Sequence, residues 1–115
     1  MTSTSHAASM TPGSQRLSLQ QAFKLAGDHA RAGRLTQAEG VLRQILRQRP
    51  NDPEALHQLA IIAHRAGKTP FAVQLIERAL TVNPNVHVLQ ANIAEMYRRI
   101  GQPQKAIEHG KRAIA

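Results

Sequence analysis

The sequence predicts an all-α protein made of about three antiparallel helix pairs, and three observations predict this fold. Glycines recur every 34 residues, at Gly33, Gly67 and Gly101. Alanines keep the same spacing, at Ala38, Ala72 and Ala106. Between these positions the apolar residues follow the i, i+3, i+4, i+7 spacing of one helix face. A fixed period of this length is typical of proteins that stack one supersecondary unit several times.

The composition suits helix-on-helix packing. The chain has 115 residues, which is enough for one small domain. Apolar residues make up 42% of it, with no Trp, one Tyr and two Phe. Most of these apolar residues are Ala, Leu and Ile. Such side chains favour closely packed helices over a wide aromatic core.

Several classes of protein and site are excluded by what the sequence lacks. It has no cysteine, so it offers no disulfide framework, no thiolate zinc site and no cysteine nucleophile. No apolar run approaches the roughly 18 residues that a membrane span needs. Residues 1–14 lack the apolar stretch of a signal peptide. We therefore expect a cytoplasmic protein that does not bind a membrane.

The charge of the chain favours acidic partners. The net charge is +8, from 15 Lys and Arg against 7 Asp and Glu. A basic surface attracts acidic peptides, nucleic acids and anionic lipids alike. Proteins that bind single-stranded nucleic acid also use aromatic side chains to stack the bases, and this chain has few. We therefore expect an acidic protein or peptide as partner rather than nucleic acid.

The chain is expected to begin with a disordered leader, residues 1–16, followed by one helical domain over residues 17–115. The leader is rich in Ser and Thr, holds the turn pair Pro12-Gly13, and shows no helical period. Ser18 suits the N-cap of the first helix, because its hydroxyl accepts from exposed N–H groups. The domain divides into repeats 19–52, 53–86 and 87–115, of which the last is truncated.

Repeat one is predicted to hold one helix before Gly33 and another after it. The apolar stripe of its first helix is Ala22, Leu25 and Ala26, and His29 continues it at a partly buried packing position. The stripe of its second helix comprises Ala38, Val41, Leu42, Ile45 and Leu46. Pro50 closes the repeat, because a proline biases the residue before it away from helix.

Repeat two follows the same plan. Pro53 opens its first helix, whose stripe is Leu56, Leu59, Ala60 and Ala63. Gly67 ends that helix, since glycine suits the left-handed residue just past a helix end. Pro70 fits an early position of the next helix, whose stripe is Ala72, Val73, Ile76, Ala79 and Leu80. The segment Asn83-Pro84-Asn85 closes the repeat.

Repeat three has apolar residues that nothing in the repeat covers. Its first helix carries Ile93, Ala94 and Tyr97, and its second carries Ala106, Ile107, Ala113 and Ile114. A terminal repeat normally needs a polar outer face. The sequence therefore predicts either self-association through this uncapped end or a longer parent protein.

These residues resemble the tetratricopeptide repeat. The likeness rests on the 34-residue period, the glycine at the turn, the alanine that opens the second helix, and the closing Asn83-Pro84. It covers residues 19–115 and implies an α-solenoid that forms a right-handed superhelical segment. The family's Tyr near the end of the first helix survives only as Tyr97. Gln90 replaces a bulky apolar residue, and Gly110 replaces an aromatic residue or Leu, so we expect weaker local packing at both.

In this family the first helices of successive repeats line a concave groove that binds peptides. The resemblance therefore implies a lining for the groove: Phe23, Lys24, Arg31, His57, Gln58, Ile61, His64, Arg65, Asn92, Glu95, Arg98 and Arg99. Arg31, Arg65 and Arg99 repeat at the 34-residue period. Because Arg binds carboxylates with two parallel hydrogen bonds, we expect a basic groove suited to acidic or carboxylate-bearing peptides. The alternative is that these arginines only complement helix dipoles.

The chain differs from one branch of this family and is similar to another. The clamp for acidic chaperone tails needs Lys and Asn where this chain has Phe23, Gly27 and Gln58. It needs Lys and Arg where this chain has Val88 and Asn92, so that clamp is absent. The segment Gln-Ala-Asn-Ile-Ala around Asn92 is similar to the repeats of bacterial O-linked N-acetylglucosamine transferases. There, asparagines hold the backbone of the bound peptide.

No chemistry of catalysis is expected within these residues. The sequence has no glycine-rich phosphate loop and no nucleophile elbow. His57 and His64 stand seven residues apart, which is too far for a helical zinc pair. We therefore predict no catalytic, cofactor or metal site. The predicted function is a peptide-binding scaffold or adaptor, and the alternative is the substrate-presenting region of a larger glycosyltransferase or sulfotransferase.

Overall fold

A computed structural model describes residues 17–114; the predicted leader, residues 1–16, and Ala115 lie outside the described residues. Residues 17–114 form six α-helices and no strand, which confirms the all-α prediction. The helices are α1 (Leu19–Arg31), α2 (Leu35–Gln48), α3 (Pro53–Arg65), α4 (Thr69–Val82), α5 (His87–Arg99) and α6 (Pro103–Ile114).

The chain divides into two compact units between Pro50 and Asn51. In the first unit α1 packs against α2. In the second unit α3 packs against α4, α4 against α5, and α5 against α6. Both units are therefore built from the predicted pairing of consecutive helices.

The three periodic glycines build the same turn three times. Gly33, Gly67 and Gly101 have φ of 80°, 84° and 80°, the left-handed region that favours glycine. In each turn the glycine N–H and the next N–H donate back to carbonyls of the preceding helix. Arg34 N lies 2.8 Å from the His29 carbonyl oxygen, and Lys68 N lies 2.8 Å from that of Ala63. This is the Schellman arrangement, in which backbone N–H groups satisfy the last carbonyls of a helix.

The first helix of each repeat begins in a different way. Ser18 forms a capping box with Gln21: the Ser18 hydroxyl accepts from Gln21 N at 3.0 Å, and the Gln21 side chain accepts from Ser18 N at 2.8 Å. Asp52 caps α3 by accepting from Ala55 N at 3.0 Å. Val86 gives α5 no side-chain cap. The predicted cap at Ser18 is confirmed.

Most residues of the predicted apolar stripes form the core of each unit, whereas Leu25, Leu46 and Ala94 are only half-buried. In the first unit the buried residues are Ala22, Ala26, Ala38, Val41, Leu42 and Ile45. In the second unit the predicted stripes of α3 and α4 are buried throughout, from Leu56 to Leu80, and Leu89, Ile93, Met96 and Tyr97 continue the core into α5. Ala60, part of the predicted stripe of α3, is fully buried. His29 is half-buried, as predicted.

The expected loss of packing at Gln90 is not what the structure shows. Gln90 is 3% exposed, and each end of its side-chain amide has a partner. Its Nε2 donates to the Pro84 carbonyl oxygen at 3.0 Å, and its Oε1 lies 2.5 Å from Nδ1 of His109. A buried amide costs little when its hydrogen bonds are satisfied, so this glutamine joins α5 to α6 instead of loosening them.

The last helix lies on the surface. None of the described residues of α6 is buried, and Ile107 and Ile114 are exposed. Among residues 17–114, no helix covers the apolar side of α6 that carries Ile107 and Ile114. Over residues 17–114, no helix has the length and apolar character that crossing a membrane requires.

Candidate functional site

The residues predicted to line the groove fall in both units. Phe23, Lys24 and Arg31 lie on α1 in the first unit, and the other nine lie on α3 and α5 in the second. Phe23 is half-buried, and Lys24 and Arg31 are exposed. The second unit therefore holds most of the candidate site, and we name its surface the α3–α5 face: His57, Gln58, Ile61, His64, Arg65, Asn92, Glu95, Arg98 and Arg99.

A hydrogen bond between two predicted site residues links the two helices of the α3–α5 face. Nδ2 of Asn92 lies 2.9 Å from Nε2 of His57, and both side chains are half-buried. An imidazole nitrogen accepts only when it carries no proton. The bond thus fixes His57 as the neutral tautomer with its proton on Nδ1. It also links the first helices of repeats two and three.

The surroundings of His57 favour that neutral form. Burial lowers the pKa of His57 below 6.5, and the nearby Glu54 carboxylate opposes the shift only in part. Glu54 itself accepts a hydrogen bond from Nε2 of Gln58 at 2.6 Å. Near neutral pH the face therefore presents an uncharged His57–Asn92 pair.

The arginines of α1 and α5 are paired within their own helices. Asp28 accepts from Arg31 and, at 2.9 Å, from Nζ of Lys24. The bond from Lys24, followed by that from Arg31, lowers the pKa of Asp28. On α5, Glu95 lies 2.6 Å from Nη2 of Arg98 and 2.8 Å from Nε of Arg99.

Two neighbouring arginines stabilise the ionised form of Glu95. Hydrogen bonds from Arg98, followed by Arg99, lower the pKa of Glu95 to about 2. The carboxylate is therefore ionised at any physiological pH. It offsets part of the positive charge that Arg98 and Arg99 bring to the face.

Arg65 differs from the other arginines of the site. It lies exposed in the last turn of α3 and makes no ion pair with any described residue. The residues three and four positions before it are Ile62 and Ile61, where α1 and α5 supply a carboxylate to their arginines. Ile62 is buried and Ile61 half-buried. The guanidinium of Arg65 is thus a cation with open donor positions beside an apolar side chain.

His64 contacts the first residue of the helix that follows the turn at Gly67. Its Nδ1 lies 2.9 Å from Oγ1 of Thr69, the first residue of α4. This contact orients the ring towards the turn at Gly67. His64 and His57 thus have different partners, Thr69 and Asn92.

A polar cluster behind the face was missed by sequence reasoning. Tyr97 donates from its hydroxyl to Glu77 of α4, and its ring stacks on His109 with 5.5 Å between centroids. Lys105 Nζ lies 5.3 Å from the centre of the same ring. Burial, followed by the bond to Glu77, raises the pKa of Tyr97. Glu77 and Tyr97 stand 20 positions apart, so their contact leaves no short-range signal in the sequence.

Within residues 17–114 no group of three or more His, Asp or Glu side chains is placed to hold a metal ion. His57, His64 and His109 contact Asn92, Thr69 and Gln90, respectively.

A family model described as tetratricopeptide repeat matches residues 29–93, more than half of the chain. The chain belongs to the tetratricopeptide repeat family. The match spans the turns at Gly33 and Gly67 and includes the whole of α3, the helix that carries Arg65.

Several solved structures share the fold. MamA has a TM-score of 0.81 at 18% identity, and the match covers 96% of this chain and 64% of that one. The type III secretion chaperone SycD of Yersinia enterocolitica, in complex with a peptide of the translocator YopD, has a TM-score of 0.78 at 17% identity, covering 83% of this chain and 72% of that one. PcrH, in complex with the chaperone binding region of PopD, has a TM-score of 0.77 at 18% identity, covering 83% and 71%. At these identities the likeness establishes the fold alone, and this chain spans less than two thirds of the length of MamA.

Proposed function

We propose that this chain is a peptide-binding tetratricopeptide module that acts as a scaffold or adaptor, with the α3–α5 face as its binding surface. Two structures of the same fold, SycD and PcrH, hold a segment of a partner protein. The proposal extends that mode of binding to this chain. The joined His57–Asn92 pair supports it, because a peptide backbone needs acceptors and donors at fixed places.

The observation that carries the proposal is Arg65, which makes no ion pair within residues 17–114. A guanidinium with open donors binds a carboxylate through two parallel hydrogen bonds. Ile61, one turn away and half-buried, offers an apolar contact for a neighbouring ligand side chain. The ligand that fits this pair is an acidic peptide, or a peptide with a free carboxylate, that also carries an apolar residue.

Glu95 reduces the number of hydrogen-bond donors that Arg98 and Arg99 can offer a ligand. Its bonds to Arg98 and Arg99 already use some of their donors. An incoming carboxylate must therefore share these arginines with Glu95, whereas Arg65 is open to it. This ranks Arg65 first among the cations of the face.

Replacement of Arg65 by Glu is expected to weaken binding of an acidic peptide by about tenfold or more, equivalent to about 1.4 kcal/mol. The reason is that an attraction becomes a repulsion at the same place. Titration calorimetry with a short aspartate-rich peptide, ending in a free carboxylate, measures the change. Glu95→Gln is expected to act in the opposite direction and tighten binding, since it releases Arg98 and Arg99.

The matched control is Arg47→Glu. Arg47 is also exposed and also lies in the last turn of its helix, but on α2, a second helix. It changes the net charge by the same amount. If Arg47→Glu weakens binding as much as Arg65→Glu, the peptide senses only the total charge, and the α3–α5 face is not its site. The likeness of the Asn92 segment to transferase repeats stays a prediction.

A further inference from the structure

An apolar trough runs along the open side of the last helix pair. It has a volume of about 550 Å³ and lies between α5 and α6. The residues that line it are Ala91, Ala94, Glu95, Arg98, Pro103, Ala106, Ile107, Gly110, Ala113 and Ile114. Ile107 is 52% exposed and Ile114 87%. The trough therefore presents side chains of core type to water.

The preceding repeat shows what such a trough holds. The residues 34 positions before Ala106, Ile107, Ala113 and Ile114 are Ala72, Val73, Ala79 and Leu80 of α4, and all four are buried. In that repeat α4 packs against α5. The α5–α6 trough is thus the next copy of a surface that, one repeat earlier, packs against a helix.

Gly110 makes this copy deeper than its predecessor. The equivalent residue in α4 is Ile76, which is fully buried. A Cβ built on Gly110 meets no atom within 4 Å. A helix lying in the trough can therefore place a large side chain, Leu or Phe, over Gly110.

The positive charge of α5 and α6 favours a helix whose polar side is acidic. Helices α5 and α6 together carry five Lys and Arg against two Glu, and the whole chain has a net charge of +8. Lys111 and Arg112 lie exposed in the last turn of α6. A second copy of this chain would bring like charge to the contact, whereas an acidic helix would bring the opposite charge.

We propose that the α5–α6 trough binds an amphipathic helix of a partner protein, acidic on its polar face, with a large apolar residue placed over Gly110. This is a second binding surface, distinct from the α3–α5 face, although the two meet at Glu95 and Arg98. The occupant is a folded helix held by its apolar stripe, whereas the α3–α5 face takes a peptide held by its carboxylates.

The probe is a synthetic helix that copies the apolar pattern of α5. It is about 18 residues long, or five turns, and keeps apolar residues at the spacing of Leu89, Ile93 and Met96 with a Phe for the Gly110 position. Its outward positions carry Glu. A scrambled peptide of the same composition keeps the charge and loses the stripe. Fluorescence anisotropy with the full chain measures both affinities.

Ile107→Glu is expected to weaken binding of the helix by about tenfold or more, because it places a charge in the apolar contact. The matched control is Val82→Glu, which makes the same kind of change at a residue of nearly equal exposure, 50% against 52%, outside the trough. Gly110→Leu is expected to weaken binding as well, because it fills the deeper place. Leu favours helix more than Gly does, so this variant keeps α6 folded.

Four results would overturn the proposal. The helix fails to bind, or the scrambled peptide binds equally well, or Ile107→Glu binds as tightly as Val82→Glu. The fourth is a dimer seen by light scattering that Ile107→Glu abolishes, which would assign the trough to a second copy. Arg65→Glu separates the two surfaces, since it should impair the aspartate-rich peptide and leave the helix bound.

Discussion

At the scale of single residues, the character of the α3–α5 face depends on what stands one helical turn before each arginine. Asp28 forms an ion pair with Arg31, and Glu95 forms ion pairs with both Arg98 and Arg99. Arg65 instead follows Ile61 and Ile62. Carboxylates three or four residues before an arginine share its helix face. The periodic arginines are therefore chemically unequal although their spacing is regular.

Part of this inequality could be predicted from the sequence. The spacing of Glu95 and Arg99 alone places them on one helix face. The bond between His57 and Asn92 could not be predicted in the same way, because 35 residues separate them. Its formation depends on how two helices from different repeats are aligned, which no local pattern specifies.

Acid is expected to destabilise the fold before the carboxylates titrate. Burial lowers the pKa of His57 and of His109 below 6.5; for His109 the nearby Arg112 and Lys105 act in the same direction, and Glu77 and Glu108 oppose them. The unfolded chain then binds more protons than the folded one. The free energy of unfolding consequently falls as pH drops through 6.5 towards the lowered pKa values. Urea denaturation at pH 7.5, 6.5 and 5.5 measures it.

His57→Gln tests the source of that pH dependence. Glutamine keeps an acceptor for Asn92 but does not titrate, so the fall in unfolding free energy between pH 7.5 and 5.5 should become smaller. The control is His87→Gln, at an exposed histidine of α5. An unfolding free energy that stays constant or rises on acidification would contradict the assignment.

At the scale of the elements, the turns follow directly from the sequence. Each periodic glycine has φ near +80° and stands where two backbone N–H groups reach back into the preceding helix. Glycine reaches that conformation without strain. This explains why the turn positions could be predicted from the 34-residue period, together with the ends of α1, α3 and α5.

Two glycine substitutions are expected to change stability in opposite directions. Gly67→Ala should lower the free energy of unfolding by about 1–2 kcal/mol, because φ is 84° and a Cβ is disfavoured there. Gly40→Ala lies inside α2 and should raise it by about 0.5–1 kcal/mol. An added Cβ meets no atom within 4 Å at either site, so packing does not enter the comparison.

Urea denaturation of both variants measures these changes. Equal effects of the two substitutions, in either direction, would show that backbone conformation at Gly67 is not what fixes the turn.

The elements also contain the main departure from the sequence-based expectation. Gln90 was predicted to weaken the packing of α5, yet it is buried and bonded to Pro84 and His109. A polar residue at a core position costs stability only when it lacks partners. Its partner His109 lies 19 residues further on, so the compensation is visible only in three dimensions.

At the scale of the whole molecule, the period determined the fold class and the family more firmly than any single residue. Helix pairs of one repeat leave an apolar side that the next repeat covers. The same rule explains the α5–α6 trough, where Ile107 and Ile114 have no such cover among residues 17–114. The period does not specify the function in the same way. The proposed ligand would be selected by a few surface groups, Arg65 above all, that contribute little to the fold.

Mapping the bound peptide by NMR tests the central proposal, peptide binding on the α3–α5 face, most directly. The ¹⁵N-labelled chain is titrated with the aspartate-rich peptide, and amide shifts are followed to saturation. We expect the largest shifts at Ile61, Arg65 and Asn92, and small ones at exposed residues of α4 such as Gln74. Shifts concentrated on α4 or along the α5–α6 trough, or no shifts at all, would contradict it.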